Sequence, residues 1–203
     1  SSLVRQLGVG RRGSKNDRRD AQVLAEASAR NGDSLPFVHV PSSRSRQLRR
    51  ALAARSSLVA TRAKLVVTVK SLLRQELIVL AGGTPKGFSK RVRRVIESPE
   101  RLAIIGPILQ SIDAISASIE ECNATVALLS DDYPAIKLLK TVPGIGPVIA
   151  AMIVAVIDDH ERFNKGANLA SYAGLTPGEN TTGGKRRLTG ITRAGQGQLR
   201  TML

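Results

Sequence analysis

The chain has 203 residues, of which 31 are Lys or Arg and 16 are Asp or Glu, so its formal net charge is +15. A single cysteine and two distant histidines exclude a disulfide framework and a zinc site built on Cys and His. Aromatic residues make up only 2% of the chain, which disfavours recognition of single strands by stacked aromatic rings.

The positive charge is distributed unevenly. Residues 36–98 contain 14 basic and 2 acidic residues, whereas residues 99–135 contain 1 and 6. Such a basic block repels itself unless it meets a polyanion. Because no apolar run reaches the ~18 residues of a membrane span and no signal peptide is evident, we expect a cytoplasmic, nucleoid-associated protein whose polyanion is nucleic acid. A basic protein without a specific partner is the alternative.

The first predicted element is a helix over residues 17–31. It places Asp17 and Asp20 one turn apart on one face, where two carboxylates can share a Mg²⁺ ion. Simple capping of the helix start is the alternative role for this pair. A short extended linker at 35–40 follows.

Two long helices are predicted next, from about 44 to 80 and from about 98 to 130, with a Gly-Gly-Thr-Pro break between them. Each carries apolar residues in a heptad spacing, and the first seam also contains Arg55 and Arg62. The spacing predicts either an antiparallel hairpin or a coiled coil between two chains. The first seam is Leu48, Leu52, Arg55, Val59, Arg62, Val66, Val69 and Leu73, and the second is Ile105, Ile108, Ile112, Ile115, Ile119, Cys122, Val126 and Leu129.

A glycine turn, residues 142–147, separates two predicted helices at 135–142 and 148–157. This is the helix-hairpin-helix pattern, in which the free N–H groups of the second helix can hold a phosphate of the nucleic-acid backbone. Gly144, Ile145, Gly146 and Lys140 are therefore candidate contacts. An ordinary helix–helix turn is the alternative.

The C-terminal residues are predicted to form a short helix at 164–172, a loop or hairpin at 176–192 and a last helix at 193–203. The loop carries two hydroxyls, Thr181 and Thr182, beside Gly-Gly and a basic cluster. We expect Gly190, Gly195 and Gly197 to keep the backbone close to a ligand. Such a hydroxyl could attack a phosphate or only bind it. The candidate cations for phosphate in the whole chain are Lys140, Lys185, Arg186, Arg187, Arg193, Arg49 and Arg50.

Three of these stretches, in this order, resemble the insertion-sequence transposases with a RuvC-like Asp-Glu-Asp-Asp domain, the insertion sequence one-hundred-ten family, which includes the Piv-type DNA invertases. Residues 15–21 look like the end of the RuvC-like domain, although Asn16 stands where Thr is common. The long helices match the family's coiled-coil linker. The C-terminal transposase domain is matched by residues 141–146, Phe163, Leu169, 172–177, 182–185, 190–193 and 199–200.

The resemblance implies DNA transposition by cutting and rejoining double-stranded DNA. It carries the last two acids of the Mg²⁺ site onto Asp17 and Asp20, and the serine nucleophile of the family onto Thr182, with Thr181 as its neighbour. It also implies a homo-oligomer assembled through the coiled coil and, in some members, a structured guide RNA. The first Asp and the Glu of the quartet would precede residue 1, so we expect an N-terminally truncated transposase.

We therefore expect a mainly α protein. Its domains would be a C-terminal remnant of a RuvC-like α/β domain at 1–35, a coiled-coil linker at 36–134, and a transposase domain with the helix-hairpin-helix at 135–203. Two alternatives are a non-catalytic nucleic-acid-binding remnant and a helix-hairpin-helix protein of repair or junction processing.

Overall fold

A computed structural model describes residues 17–31, 38–180, 187–195 and 197–202. Its described residues are mainly helical, as the sequence predicts. The chain divides into two compact units, residues 1–40 and residues 41–203. The smaller unit contributes helix α1, Asp17–Asn31, which has the predicted bounds and an internal hydrogen bond from Gln22 to Glu26.

Two long helices of the larger unit, α2 (Ser43–Gln75) and α4 (Pro99–Ser130), pack along each other within one chain. The two helices run antiparallel. Arg44 at the start of α2 pairs with Asp132 just after α4, and Glu76 just after α2 pairs with Arg101 at the start of α4. All residues of the two predicted heptad seams are buried or half-buried. Of the two expected arrangements, the antiparallel hairpin is the one found in this chain.

Helix α2 ends five residues earlier than predicted. The N–H of Ile78 donates to the carbonyl of Leu73, and the N–H of Leu77 donates to that of Arg74, which closes the last turn. Leu77 adopts a left-handed conformation with φ 59° and is 91% exposed. This hydrogen-bond pattern, in which an N–H binds the carbonyl five residues earlier, ends a helix at a residue with positive φ. That residue is usually glycine. The apolar run 77–80 therefore continues the chain outside the helix.

The hairpin contains two separate hydrophobic cores with a polar layer between them. In the layer, the Nε of Arg55 donates to the Oδ1 of Asn123 at 2.6 Å, and Arg62 donates to the hydroxyl of Ser116 at 3.3 Å. The base core consists of Leu48, Leu52, Val126, Ile136, Ala150, Ala151, Met152, Val154, Ala155, Val156, Ala173 and Leu199. The tip core consists of Val69, Leu73, Phe88, Val92, Ile96, Ile105, Leu109 and Ile112.

Helix α3, Phe88–Val95, is not among the predicted elements, because its sequence stands out only as a basic stretch. Phe88 and Val92 enter the tip core, and the hydroxyl of the buried Ser89 donates to the carbonyl of Leu109 on α4. The apolar residues at 88, 92 and 96 are spaced four apart, which is the sequence signal for an amphipathic helix here.

The C-terminal part is built around α6, Pro147–Ile157, whose residues Ala150, Ala151 and Ala155 are fully buried. Helix α5 (Pro134–Leu139) precedes it, and a 3-10 turn (His160–Arg162) and helix α7 (Gly166–Ala173) follow. Strands β1 (Pro177–Glu179) and β2 (Leu188–Ile191) pair antiparallel, with Pro177 opposite Ile191, and helix α8 is Gly197–Met202. Of the two forms predicted for residues 176–192, a loop or a hairpin, the paired strands match the hairpin. The last helix starts four residues later than predicted.

By length and composition alone, α4 could cross a membrane, contrary to the expectation that no segment would. Its sequence nevertheless carries Asp113, Glu120 and Glu121 in the central and later turns, each of which costs about 3 kcal/mol at the centre of a bilayer. Its heptad seam packs against α2 and the tip and base cores. These features fit a helix of a helical hairpin.

The backbone crosses itself tightly at Gly174 and Gly195. A Cβ built on Gly195 would overlap backbone atoms of Tyr172, Ala173 and Gly174, and Gly174 itself has φ +71°. The expectation that Gly195 faces a ligand is therefore corrected, because its missing side chain makes room for the chain's own backbone.

We predict that Gly195→Ala lowers the free energy of unfolding by about 3 kcal/mol, because the methyl group forces the two backbone segments apart. Urea unfolding followed by circular dichroism measures the change. Gly190→Ala is the matched control, since a Cβ there meets nothing within 4 Å and should shift stability by less than about 0.5 kcal/mol. Equal stability of the two variants would contradict the close crossing.

Candidate nucleic-acid interface

The glycine turn connects α5 to α6 through residues 140–146. Gly144 has φ +90°, and the N–H of Ile145 donates to the carbonyl of Val142 at 3.0 Å. Ile145 is half-buried and packs against the base core. Gly144 therefore supplies the reversal that only glycine adopts without strain, while Ile145 anchors the turn to the core.

Gly146 occupies the N-cap position of α6 and has φ −83° and ψ 174°, which is ordinary extended backbone. No side chain caps this end, Pro147 has no N–H to donate, and the N–H of Ala150 donates to the carbonyl of Gly146. A Cβ on Gly144 or Gly146 would meet nothing within 4 Å. The start of α6 is thus open to an anion, with the positive end of the helix dipole behind it.

Two lysines lie where the chain enters the turn, Lys137 on α5 and Lys140 directly after it. Lys137 and Lys140 are exposed and have no ion-pair partner within the part of the chain that the structure describes. Their ammonium groups are therefore available to phosphate on the side from which the chain enters the turn.

Arg49 lies at the opposite end of α6. Its Nε donates to the carbonyl of Ala155 at 2.7 Å and its Nη2 to that of Val156 at 3.1 Å. The hydroxyl of the buried Ser45 also donates to Ala155. Two of the five donors of Arg49 are thus used to close a helix C-terminus, and the guanidinium is half-buried. This structural contact of a candidate phosphate-binding residue could not be read from its sequence neighbourhood.

The same junction contains Asp158, whose carboxylate accepts hydrogen bonds from the N–H and the hydroxyl of Ser42 at 2.8 and 2.7 Å. The guanidinium of Arg44 lies 4.1 Å from the ring centroid of Tyr133 and pairs with Asp132. Burial raises the pKa of Tyr133; Arg44 lowers it in opposition, and Asp158 adds to the rise. The first turns of α2 therefore hold the C-terminal part of the chain through polar groups as well as through the base core.

The remaining candidate cations differ in their surroundings. Arg50 is exposed and without a partner among the described residues. Arg187 and Arg193 are exposed at the ends of the β-hairpin, where the carbonyl of Arg187 accepts from the N–H of Asn180 and Arg193 has φ 55°. The candidates Thr181, Thr182, Lys185 and Arg186 lie outside the described residues.

On α1, Asp17 is exposed, and Asp20 follows it one turn later on the helix. Over the described ranges, no three His, Cys, Asp or Glu side chains gather closely enough to hold a metal ion. Mg²⁺ takes about six oxygen ligands. These two carboxylates can therefore supply only part of such a site.

Two family models match this chain. A DEDD transposase model matches residues 3–78, and the model of the transposase IS116/IS110/IS902 family matches residues 136–203. The chain belongs to the IS110/IS116 transposase family. This membership confirms the expected family and does not favour a repair or junction protein.

Several curated relatives carry transposase names. The transposase for insertion sequence element IS1111A of Coxiella burnetii is 29% identical over 203 residues, which covers 93% of this chain and 53% of that protein. A probable family 20 transposase of Pseudomonas aeruginosa is 28% identical, covering 95% and 58%. The transposase for IS1328 of Yersinia enterocolitica is 30% identical, covering 93% and 57%. The chain thus spans somewhat more than half the length of these relatives.

The neighbouring arginines 49 and 50 form a matched pair for separating folding from binding. We predict that Arg49→Ala lowers the free energy of unfolding by about 2 kcal/mol, because two charged hydrogen bonds to α6 carbonyls are lost. Arg50→Ala should change it by less than about 0.5 kcal/mol, because that side chain is exposed. Urea unfolding of both variants checks the difference, and a greater loss in the Arg50 variant would refute the assignment.

Proposed function

We propose that this chain forms the DNA-binding and strand-transfer part of a transposase that acts on double-stranded DNA. The observation that carries the proposal is the family membership, with the glycine turn lying inside the segment matched by the transposase model. The DNA is the partner that its family implies. Cytoplasmic, nucleoid-associated localisation follows from that partner.

Backbone recognition at the glycine turn needs no base contacts. The uncapped start of α6 and the exposed Lys140 present donors to one phosphate, and Gly146 leaves space for its approach. We assign further phosphate contacts to Lys185, Arg186, Arg187 and Arg193. Of the two candidate arginines on α2, Arg50 is assigned to phosphate, whereas two donors of Arg49 bind carbonyls of α6.

The chemical step is assigned to Thr182, at the position where the family carries its serine, with Thr181 as the neighbouring hydroxyl. Its Oγ would attack a phosphodiester phosphorus, forming a new P–O bond while the bond from phosphorus to the leaving sugar oxygen breaks. The hydroxyl proton ends on that leaving oxygen. A hydroxyl of the second DNA strand then reverses the step, which rejoins DNA and releases threonine.

Domains of the DEDD type are typically metal-dependent. We propose that Asp17 and Asp20 are the last two acids of that quartet, and that Mg²⁺ would supply positive charge to the phosphate when bound. The other oxygen ligands must come from groups outside α1. The carboxylates of Asp17 and Asp20 would bind the ion, and their negative charges would offset part of its positive charge.

We also propose that copies of this chain assemble through the helical hairpin. Outside its heptad seam, α4 exposes Ile104 at 68% and Leu128 at 79%, near its two ends. Helix α2 carries only basic charges and α4 more acidic than basic ones, so α2 of one copy would attract α4 of another. A structured guide RNA is a further proposed partner, since its phosphates suit the same cations.

We predict that Gly146→Ala weakens binding of the chain to duplex DNA about tenfold, equally for unrelated sequences. The methyl group would stand between the phosphate and the α6 amides, which costs about one charged hydrogen bond. Fluorescence anisotropy with two unrelated duplexes measures the affinity. Gly166→Ala is the control, since a Cβ there also meets nothing within 4 Å. A loss confined to one duplex would show that the turn reads bases, and an unchanged affinity would remove the turn from the interface.

The nucleophile is tested by trapping a covalent intermediate. A full-length transposase that contains this chain is incubated with Mg²⁺ and labelled element-end DNA, and the products are resolved on a denaturing gel. We expect an adduct that Thr182→Ala abolishes and Thr182→Ser retains, because serine keeps the attacking hydroxyl. An adduct that survives Thr182→Ala but not Thr181→Ala would move the role to the neighbouring residue.

A further inference from the structure

The distal end of the hairpin is a folded unit with a charge of its own. We call residues 70–101 the hairpin tip; they include the end of α2, helix α3 and the start of α4. Eight of these residues are basic and three are acidic. The tip core underneath is well formed, since Val92 and Leu109 are fully buried. The cations of the tip are therefore displayed on a defined surface.

Helix α3 concentrates that charge on one side. Phe88 and Val92 point into the tip core, and Lys90 and Arg94 are exposed one turn apart on the opposite side. Neither Lys90 nor Arg94 has a carboxylate within ion-pair distance in the part of the chain that the structure describes. Their charges are thus not neutralised by the surrounding described residues.

Some of the other cations of the tip bind groups of the protein itself. Arg91 donates to the carbonyl of Thr84 at 2.8 Å, and Arg101 pairs with Glu76 at 2.7 Å. Arg93 reaches Asp113 only at 4.0 Å, with both side chains largely exposed. The fold therefore uses Arg91 and Arg101 and leaves Lys90 and Arg94 exposed on α3; further exposed cations of the tip are Lys70, Arg74 and Lys86.

The tip lies far from the glycine turn. Helix α2 has 33 residues and extends about 50 Å at 1.5 Å per residue, with the base core at its start and the tip core at its end. The glycine turn packs on the base core through Ile145. A duplex of about 15 base pairs is as long as helix α2.

We propose that the hairpin tip is a second surface for the phosphodiester backbone, centred on Lys90 and Arg94 and built on the tip core, whereas the glycine turn is built on the base core. This inference rests on the proposed function only in taking nucleic acid as the polyanion. A duplex that meets both ends of the hairpin is held at two places, so the tip adds affinity and orientation without reading sequence. Duplex DNA and duplex RNA offer the same phosphate chemistry to these side chains.

An anionic membrane is the other polyanion to consider. A helix that lies on a membrane inserts its apolar face into the lipid. The apolar side of α3 is already used, because Phe88 and Val92 are buried in the tip core. The exposed apolar residues Leu77 and Val79 belong to the connection before α3 and form no helical face. Nucleic acid is therefore the favoured partner.

The test compares two charge-matched double variants of the full 203-residue chain. In Lys90→Gln/Arg94→Gln the tip loses two charges, and in Lys64→Gln/Lys165→Gln two exposed charges are lost elsewhere. Glutamine keeps the helix propensity, and thermal unfolding verifies the fold. Affinities for DNA and RNA duplexes of about 24 base pairs are measured from about 50 to about 300 mM salt.

We expect the tip variant to bind more weakly and to reduce the slope of log affinity against log salt by about 2, since each lost phosphate contact contributes about 0.9. The control variant should reduce it by clearly less. Equal slopes for the two variants would overturn the proposal, while Gly146→Ala would still report on the glycine turn. Loss of binding to phosphatidylserine vesicles without loss on either duplex would also overturn it, in favour of a membrane. A loss on only one duplex identifies that nucleic acid as the partner of the tip.

Discussion

The closure of the α6 C-terminus by the first turns of α2 is the contact on which the rest of the larger unit depends. Helix α6 is apolar on nearly all sides, so its unpaired end carbonyls would be costly inside the protein. Ser45 and Arg49 satisfy Ala155 and Val156, and Ser42 binds Asp158 just beyond. Because the glycine turn begins the same helix, these bonds also set where its open N-terminus lies relative to the hairpin. A residue that the charge pattern assigns to phosphate thus holds helix α6 in place instead.

The elements with strong periodicity are predictable from sequence, and those made by long-range contacts are not. Heptad spacing predicts the two long helices and their seams, and the glycines with Pro147 predict the turn before α6. The predicted end of α2 is wrong because a leucine, Leu77, takes the left-handed conformation that glycine usually supplies. Helix α3 is not predicted because only three apolar residues, at positions 88, 92 and 96, indicate it within a mainly basic stretch. The role of Gly195 depends on a backbone segment about twenty residues earlier, which no local pattern reveals.

The candidate site also has a part that local sequence predicts and a part that it does not. The glycine turn and its lysines stand in one local stretch of sequence, so residue type and spacing are enough to predict an anion site there. The acids of α1 and the hydroxyls of the C-terminal loop are far apart in the chain. Their pairing in one reaction is a proposal drawn from the family, since helical spacing relates Asp17 only to Asp20.

The polar layer of the hairpin has a consequence for the mechanics of the molecule. Arg55 with Asn123 and Arg62 with Ser116 interrupt what would otherwise be one continuous apolar seam. If one helix shifted by a heptad relative to the other, these polar groups would lie unpaired against apolar side chains. The layer therefore fixes the register of the two helices. It also keeps the two cores from sharing side chains. The layer therefore fixes which residues of the two helices face each other, and the two cores share no residue among those that the structure describes.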